Sequence, residues 1–348
     1  MRKARSGAAA LASAASLVIV HSASAQNATF QVDPAGSSLT VSGTALGSPI
    51  LSQGPGSLTA TYQGPLLAQL TPTTINFPGG SAVAANNSGN WQPLPGGASG
   101  AAPANYGARV IILFQTNFAA VRNAVFDVTS LAPLPLTGLP NSHLFGSTVD
   151  FTSTAGDVDY NSALAGSGTS PLAGNTGTNA AANSASFSIS AGSAGFAQGV
   201  LNLPIDFTIN TAVGTLGQAT FRFQGAVAAR ASARGGDANF DGIVNLNDFN
   251  VLAANFGAQT GVGWLSGDFT FDGRVNLDDF NVLAANFGLS ASPNGPTRQD
   301  WTTLGNAAVP EPSSLALLSL TMLPLLRRRR IDSTTEGTEG TAITEDAI

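Results

Sequence analysis

The chain has 348 residues, a net charge of −6, two histidines and no cysteine, which excludes disulfides, thiolate metal sites and thiol nucleophiles. Charged residues make up 10% and hydrophobic ones 43%, too apolar and too weakly charged for a wholly disordered chain. Forty Gly and 19 Pro point to a globular body with neutral loops, and a single dense basic run, Arg327 to Arg330, argues against a nucleic-acid surface.

Arg2, Lys3 and Arg5 precede the apolar stretch Ala8 to Val20, and Ala23-Ser24-Ala25 follows. A basic start, a short apolar segment and small residues at the cleavage positions predict a secretory signal peptide over residues 1–25. The protein is therefore expected to be exported, with His143 its one remaining histidine.

Residues 26–229 read as a β-rich domain, a sandwich or barrel. Leu201, Leu203, Ile205, Phe207 and Ile209 alternate with polar residues or proline, the pattern of a half-buried strand. Pro204 lacks an N–H and favours an edge. Leu39/Val41, Leu58/Ala60/Tyr62, Ile75/Phe77, Val110 to Phe114, Phe187/Ile189 and Phe221/Phe223 supply further strands. The Gly/Ala/Ser/Asn-rich regions 79–106 and 161–184 read as long loops.

Catalytic constellations are weak in this body. No Glu precedes Glu311, so a two-carboxylate hydrolase would need Asp33, Asp127, Asp150, Asp157, Asp159 or Asp206. Asp157 and Asp159, beside Tyr160, form the one cluster and read as a solvated loop or a weak cation site. His143 stands alone in a turn-like stretch. Trp91 and Tyr106 are candidates to stack on sugar rings. The expectation is a protein without enzymatic activity.

The strongest signal is an internal repeat. Val244 to Gly257 recurs 31 residues later as Val275 to Gly288, with the single change of Asn247 to Asp278. Just upstream lie Asp237-Ala238-Asn239-Phe240-Asp241-Gly242 and Asp268-Phe269-Thr270-Phe271-Asp272-Gly273. Oxygen donors at loop positions 1, 3 and 5, Gly at 6 and a carboxylate at 12 describe a calcium loop, because Ca²⁺ takes six to eight hard oxygens and alternate residues of a tight loop converge. The ligands of loop one are Asp237, Asn239, Asp241, the Ile243 carbonyl, Asn245 and Asp248. Those of loop two are Asp268, Thr270, Asp272, the Arg274 carbonyl, Asn276 and Asp279. Two Ca²⁺ sites are expected. A helix follows each loop: Phe249, Leu252, Ala253 and Phe256, repeated as Phe280, Leu283, Ala284 and Phe287, fall at i, i+3, i+4, i+7. Asn245 and Asn276 suit the N-caps and Gly257 and Gly288 the C-terminal stops, and the two phenylalanine faces should pack together.

Two calcium loops with Asp at position 12, each followed by a helix, resemble a type I dockerin over residues 236–290. The resemblance implies two calcium ions holding the fold and docking onto a cohesin-like or other surface protein. Loop positions 10 and 11, the family's contact pair, are Leu246-Asn247 and Leu277-Asp278 here, where many dockerins carry Ser/Thr. The near-identical repeat would allow two docking orientations related by about half a turn.

Residues 291–308 read as a linker. Then Val309-Pro310-Glu311-Pro312, the apolar Ser313 to Leu326 and four arginines resemble a PEP-CTERM sorting signal over residues 309–330. That resemblance implies an exosortase-type processing protease and delivery to the cell envelope or exopolysaccharide layer. Fourteen apolar residues reach about 21 Å as a helix, short of the roughly 30 Å hydrocarbon core, so anchoring would rely on the flanking arginines. An acidic tail, residues 331–348, follows. The whole reads as an exported, calcium-dependent binding or structural protein of the cell surface, its body contacting extracellular polysaccharide or another protein. The alternative is an Asp-based polysaccharide hydrolase carried on a dockerin.

Overall fold

Alternation between large apolar and small polar side chains builds the longest element, a hairpin whose strands, Phe196–Ala212 and Gln218–Arg234, pair antiparallel from Phe196↔Arg234 to Ala212↔Gln218. The computed structural model describes residues 26–290 except 165, 194, 215 and 216; the expected leader, linker, sorting segment and acidic tail lie outside the described residues. Most of what is described is antiparallel strand, in a barrel-like sheet, as the sequence predicted.

One face continues from this hairpin through Ala185–Ala191 and Ser142–Phe145 on one side, and through Ala28–Val32 and Ser38–Ala45 on the other. The second face is built on Gln115–Thr129, flanked by Tyr106–Ile112 and Asp150–Ser162, with Gly166–Pro171 and Thr176–Thr178 beyond. Strand Thr59–Leu70 belongs to both faces, pairing with Ala28–Val32 and Ser38–Ala45 on one and Val83–Ala85 on the other. Its bend falls at Gly64 (φ 107°), where a Cβ would stand 2.2 Å from the Ala82 carbonyl oxygen, so only glycine fits. The opposite seam is closed where Ala180 N donates to Asp206 O at 2.8 Å.

Aromatic rings fill the space between the faces. Phe207 stacks on Phe151 (4.7 Å) and on Phe223 (4.9 Å), and Phe126 meets Phe207 and Phe223 edge-on. The buried hydroxyls of Tyr62 and Tyr106 share a 2.6 Å hydrogen bond. An apolar cavity of about 30 Å³ remains beneath the hairpin tips, lined in part by Ala45, Val110, Val213 and Phe221. Pro204 lies beyond the last residue paired with Ala185–Ala191, so it occupies a local edge, as its missing N–H favours.

Several expectations are corrected. Regions 79–106 and 161–184 hold strands, Val83–Ala85, Gly89–Trp91, Ala102–Ala104, Gly166–Pro171 and Thr176–Thr178. Their small residues make room for rings: a Cβ on Gly89 would stand 2.7 Å from Trp91, and one on Gly168 would stand 2.9 Å from the Tyr160 hydroxyl. Val110 to Phe114 is not one strand. The strand ends at Ile112, and Leu113 and Phe114 form an exposed turn with positive φ.

The strand Gln218–Arg234 runs through Gly235-Gly236 into the repeat. Helices α1 (Leu246–Asn255) and α2 (Leu277–Asn286) each begin with a reciprocal capping box, Asn245 with Asp248 and Asn276 with Asp279. Each loop is tied to the end of the other helix. Val244 N donates to Leu289 O and Gly288 N to Val244 O, while Gly257 N donates to Val275 O and Val275 N to Ala258 O. Phe249 and Phe280 meet at 6.4 Å, and the predicted face is buried in part: Leu252, Leu283 and Phe287 are inside as expected. Asp248 and Leu252, and Asp279 and Leu283, are buried, whereas Ala253, Ala284 and Phe256 are exposed. The loop wraps its position-12 carboxylate inward, so an aspartate shares the buried face with the leucine of each helix.

The repeat shares its core with the barrel. Phe240 of loop one packs on Phe30 (6.4 Å) and Phe187 (5.9 Å), and Trp264 packs on Phe240, Phe269 and Phe271. Trp264 N donates to Asn141 Oδ1 from the hairpin turn before Ser142–Phe145, and its indole Nε1 donates to the Asp237 carbonyl at 2.7 Å.

Candidate metal centre

Each loop folds around its first and twelfth residues, which are the most buried of its carboxylates. Asp237, Asp248 and Asp279 are fully buried and Asp268 is 1% exposed. In loop one, Asp248 Oδ1 accepts from Ala238 N and its Oδ2 from Asn245 N, while Asp237 Oδ2 accepts from Gly242 N. In loop two, Asp279 accepts from Phe269 N, Thr270 N, Thr270 Oγ1 and Asn276 N, and Asp268 Oδ2 accepts from Gly273 N. The backbone amides of each loop thus orient the carboxylates from behind. The glycines at position 6, Gly242 (φ 86°) and Gly273 (φ 80°), supply the turn that aims those amides.

Loop two brings three carboxylates together. Asp268, Asp272 and Asp279 each offer an oxygen, all within 4.8 Å of one another, two of the residues buried and one exposed. That separation is about twice a Ca–O bond of roughly 2.4 Å, so one ion could touch all three. Among the described residues this is the one such group of acidic or imidazole side chains.

Loop one is arranged differently. Asp241 takes Asn239 Nδ2, where the matching Thr270 of loop two donates to Asp279 instead, and loop one forms no such three-carboxylate group. What remains is Asp237 Oδ1, a buried carboxylate oxygen with no hydrogen-bond partner. A charged oxygen held dry and unpaired is costly, by several kcal/mol on general grounds, and a cation is the simplest group to satisfy it.

The electrostatics of both loops point the same way. Burial, with the nearby Asp248 and Asp241 charges, pushes the Asp237 carboxyl well above its ordinary range. Burial raises Asp248 to about 7, with Asp241 adding to it. Asp241 and Asp268 are also raised, chiefly by burial. These carboxyls are crowded in a low-dielectric pocket, the environment a bound cation relieves.

The remaining predicted ligands have other partners. Thr270 Oγ1 donates to Asp279, and Asn276 Nδ2 lies 3.4 Å from Asp272 Oδ2. The side-chain oxygens of Asn245 and Asn276 cap their helices, and the Ile243 carbonyl accepts a long contact from Asn245 Nδ2. The backbone N–H of Arg274 donates to Asp272. Leu246, Leu277 and Asp278 are exposed and Asn247 half-buried on the first turns of the helices.

In the body, the suspected catalytic carboxylates other than the half-buried Asp157 are engaged structurally. Asp159 lies on a strand, 2% exposed, and accepts from Arg122, Gly96 N and Thr169 Oγ1; the loop expected at 157–160 is absent. Asp206 pairs with Arg222 and Asp33 with Arg230, while Asp127 accepts from Gly80 N and Ser81 N and Asp150 from Thr178. His143 lies on a strand beside Phe187, its pKa lowered by partial burial. Tyr106 is buried, which removes it as a sugar-stacking ring.

Sequence reasoning missed Trp264 and Asn141. No motif marks either; their role comes from a contact 123 residues apart in the chain.

Comparison of the chain with protein-family models, with curated proteins and with solved structures finds no match.

Proposed function

We propose that the protein is an exported cell-surface binding or structural protein in which two calcium ions, one per loop of the repeat, lock the helical end onto the β body. The observation that carries this reading is the Asp268, Asp272 and Asp279 trio, three carboxylates within 4.8 Å that no lysine or arginine is paired with in the ion pairs of the described residues. The buried, unpaired Asp237 oxygen supports a second ion in loop one, with Asp241 rotating away from Asn239 to join it. Asp237, Asn239, Asp241, the Ile243 carbonyl, Asn245 and Asp248 would hold the first ion. Asp268, Thr270, Asp272, the Arg274 carbonyl, Asn276 and Asp279 would hold the second.

The exposed pairs Leu246-Asn247 and Leu277-Asp278, repeated on two equivalent helix starts, would present the docking surface for a cohesin-like or other envelope protein. Export and sorting to the envelope rest on the two terminal signals in the sequence. The test is a thermal unfolding series on the exported chain. Calcium should raise the transition, and Asp268→Asn with Asp279→Asn should abolish the part due to loop two. An unfolding temperature indifferent to calcium and to chelator would overturn the proposal.

A further inference from the structure

The end of the barrel opposite the repeat gathers exposed apolar side chains on adjacent, uncharged turns, although Leu131 and Leu139 are exposed elsewhere. Strand Gln218–Arg234 spans about 55 Å, with the repeat after Arg234 and a hairpin tip before Gln218. Register places three more tips at that far end. Ala45 pairs with Ala219, Ile112 pairs with Gln115, and Ser162 pairs with Gly166 beside the Phe118↔Asn161 pair. Ala45, Ile50, Ile112, Phe118, Val213 and Ala219 line one shared cavity, which brings the tips of both faces together.

Three of these tips carry large apolar side chains in the open: Leu46 is 50% exposed, Leu113 75%, Phe114 102% and Leu164 51%. The segments 45–50, 111–117, 162–167 and 212–218 contain no charged residue. Two of the turns also hold bulky residues in the left-handed region. Leu46 has φ 50° ahead of Gly47, and Leu113 and Phe114 have φ 48° and 65°. A two-residue hairpin turn of this kind is easiest with Asn-Gly, so leucine and phenylalanine there strain the backbone and expose apolar surface at once. Apart from Phe240 and Phe271 in the calcium loops, every apolar residue with positive φ among the described residues sits on these tips.

We infer that this end is a membrane-contact surface whose protruding Leu46, Leu113, Phe114 and Leu164 side chains insert into the interfacial layer of a lipid bilayer. Separate, fully protruding side chains suit a fluid apolar medium better than a flat protein face, which leaves its contact residues half-covered before binding. The absence of charge means that insertion desolvates no ion, and it makes uncharged lipid sufficient. Residues 291–312 span at most about 75 Å when extended, more than the barrel's length, so an apolar C-terminal segment held in a bilayer leaves this end free to meet the same bilayer.

The chain has no cysteine, so Phe114→Cys can carry a single environment-sensitive fluorophore in the full-length protein. Adding phosphatidylcholine vesicles should shift its emission to the blue and expose it to a lipid-borne quencher. The same label at Ser232→Cys, exposed on the strand near the repeat, should not respond. Leu113→Asn/Phe114→Gly should leave the unfolding temperature unchanged or higher, while a label at Leu46→Cys in that background shows vesicle affinity about 30-fold weaker. Equal insertion by this variant, or no response at position 114, would overturn the inference. A concentration-dependent shift without lipid would also overturn it, by identifying a second copy as the occupant.

Discussion

Replacing Arg122 by methionine should destabilise the β body by about 3–5 kcal/mol, the cost of leaving a buried carboxylate without its counter-ion. Both side chains of the pair are nearly dry, 8% and 3% exposed. The guanidinium also donates to the carbonyls of Pro103, Trp91 and Pro93, so methionine strands three acceptors as well as Asp159. Asp159 would keep Gly96 N and Thr169 Oγ1, two donors for a full charge. For a folded unit of this size the loss corresponds to a fall of roughly 10 °C in the unfolding temperature. Asp159→Asn should cost a similar amount, because the asparagine amide can face the guanidinium with a donor. The double variant should recover part of the loss, since removing both partners leaves no unpaired charge. Urea and thermal unfolding at constant calcium provide the assay. A loss below about 1 kcal/mol in both single variants would refute the structural role given to Asp159, and Asp157→Asn, on a partly exposed carboxylate of the same strand, is the control.

Trp264→Phe removes the indole donor to the Asp237 carbonyl while keeping most of the ring contacts. It should cost about 1–3 kcal/mol by unfolding and weaken calcium binding measured on the same protein. Leu252→Ala and Leu283→Ala, each 2% exposed, should each cost about 2–5 kcal/mol in chemical denaturation. Without metal, stability should depend on pH with a definite sign. The carboxyls of Asp237, Asp241, Asp248 and Asp268 are raised in the folded state, so the folded form holds protons that the unfolded form has lost. Their contribution is complete below the ordinary carboxylate range and is lost as pH rises toward about 7, the value for Asp248. Chelated protein should therefore melt at a lower temperature at pH 8 than at pH 5, and saturating calcium should reverse that order.

What could be read from the sequence follows from local physics. Leu201 to Ile209 betrayed its strand because one face is buried and the other wet, which imposes a period of two. Asn245 and Asn276 were legible as N-caps because that chemistry is confined to four residues. The strands around Trp91 and Gly168 were not legible. Their glycines leave room for the Trp91 and Tyr160 rings, and small residues carry no alternation. The helix face was misjudged for a related reason. Counting apolar residues put Leu252 and Leu283 inside correctly but Ala253 and Phe256 wrongly, because the buried face also has to take Asp248 from the loop. A near-identical repeat also suggested a unit packed on itself, yet Phe240 and Trp264 bury their rings against Phe30, Phe187 and the Asn141 turn, partners far away in sequence.

Titration calorimetry of the exported chain with calcium tests the central claim most directly. Two ions should bind per chain, falling to one with Asp268→Asn/Asp279→Asn and to one with Asp237→Asn/Asp248→Asn. With Kd near about 10⁻⁴ M, 10 mM calcium should add roughly 2.7 kcal/mol of stability for each ion. Heats indistinguishable from dilution, in a chain freed of metal by chelator and still folded, would contradict the account.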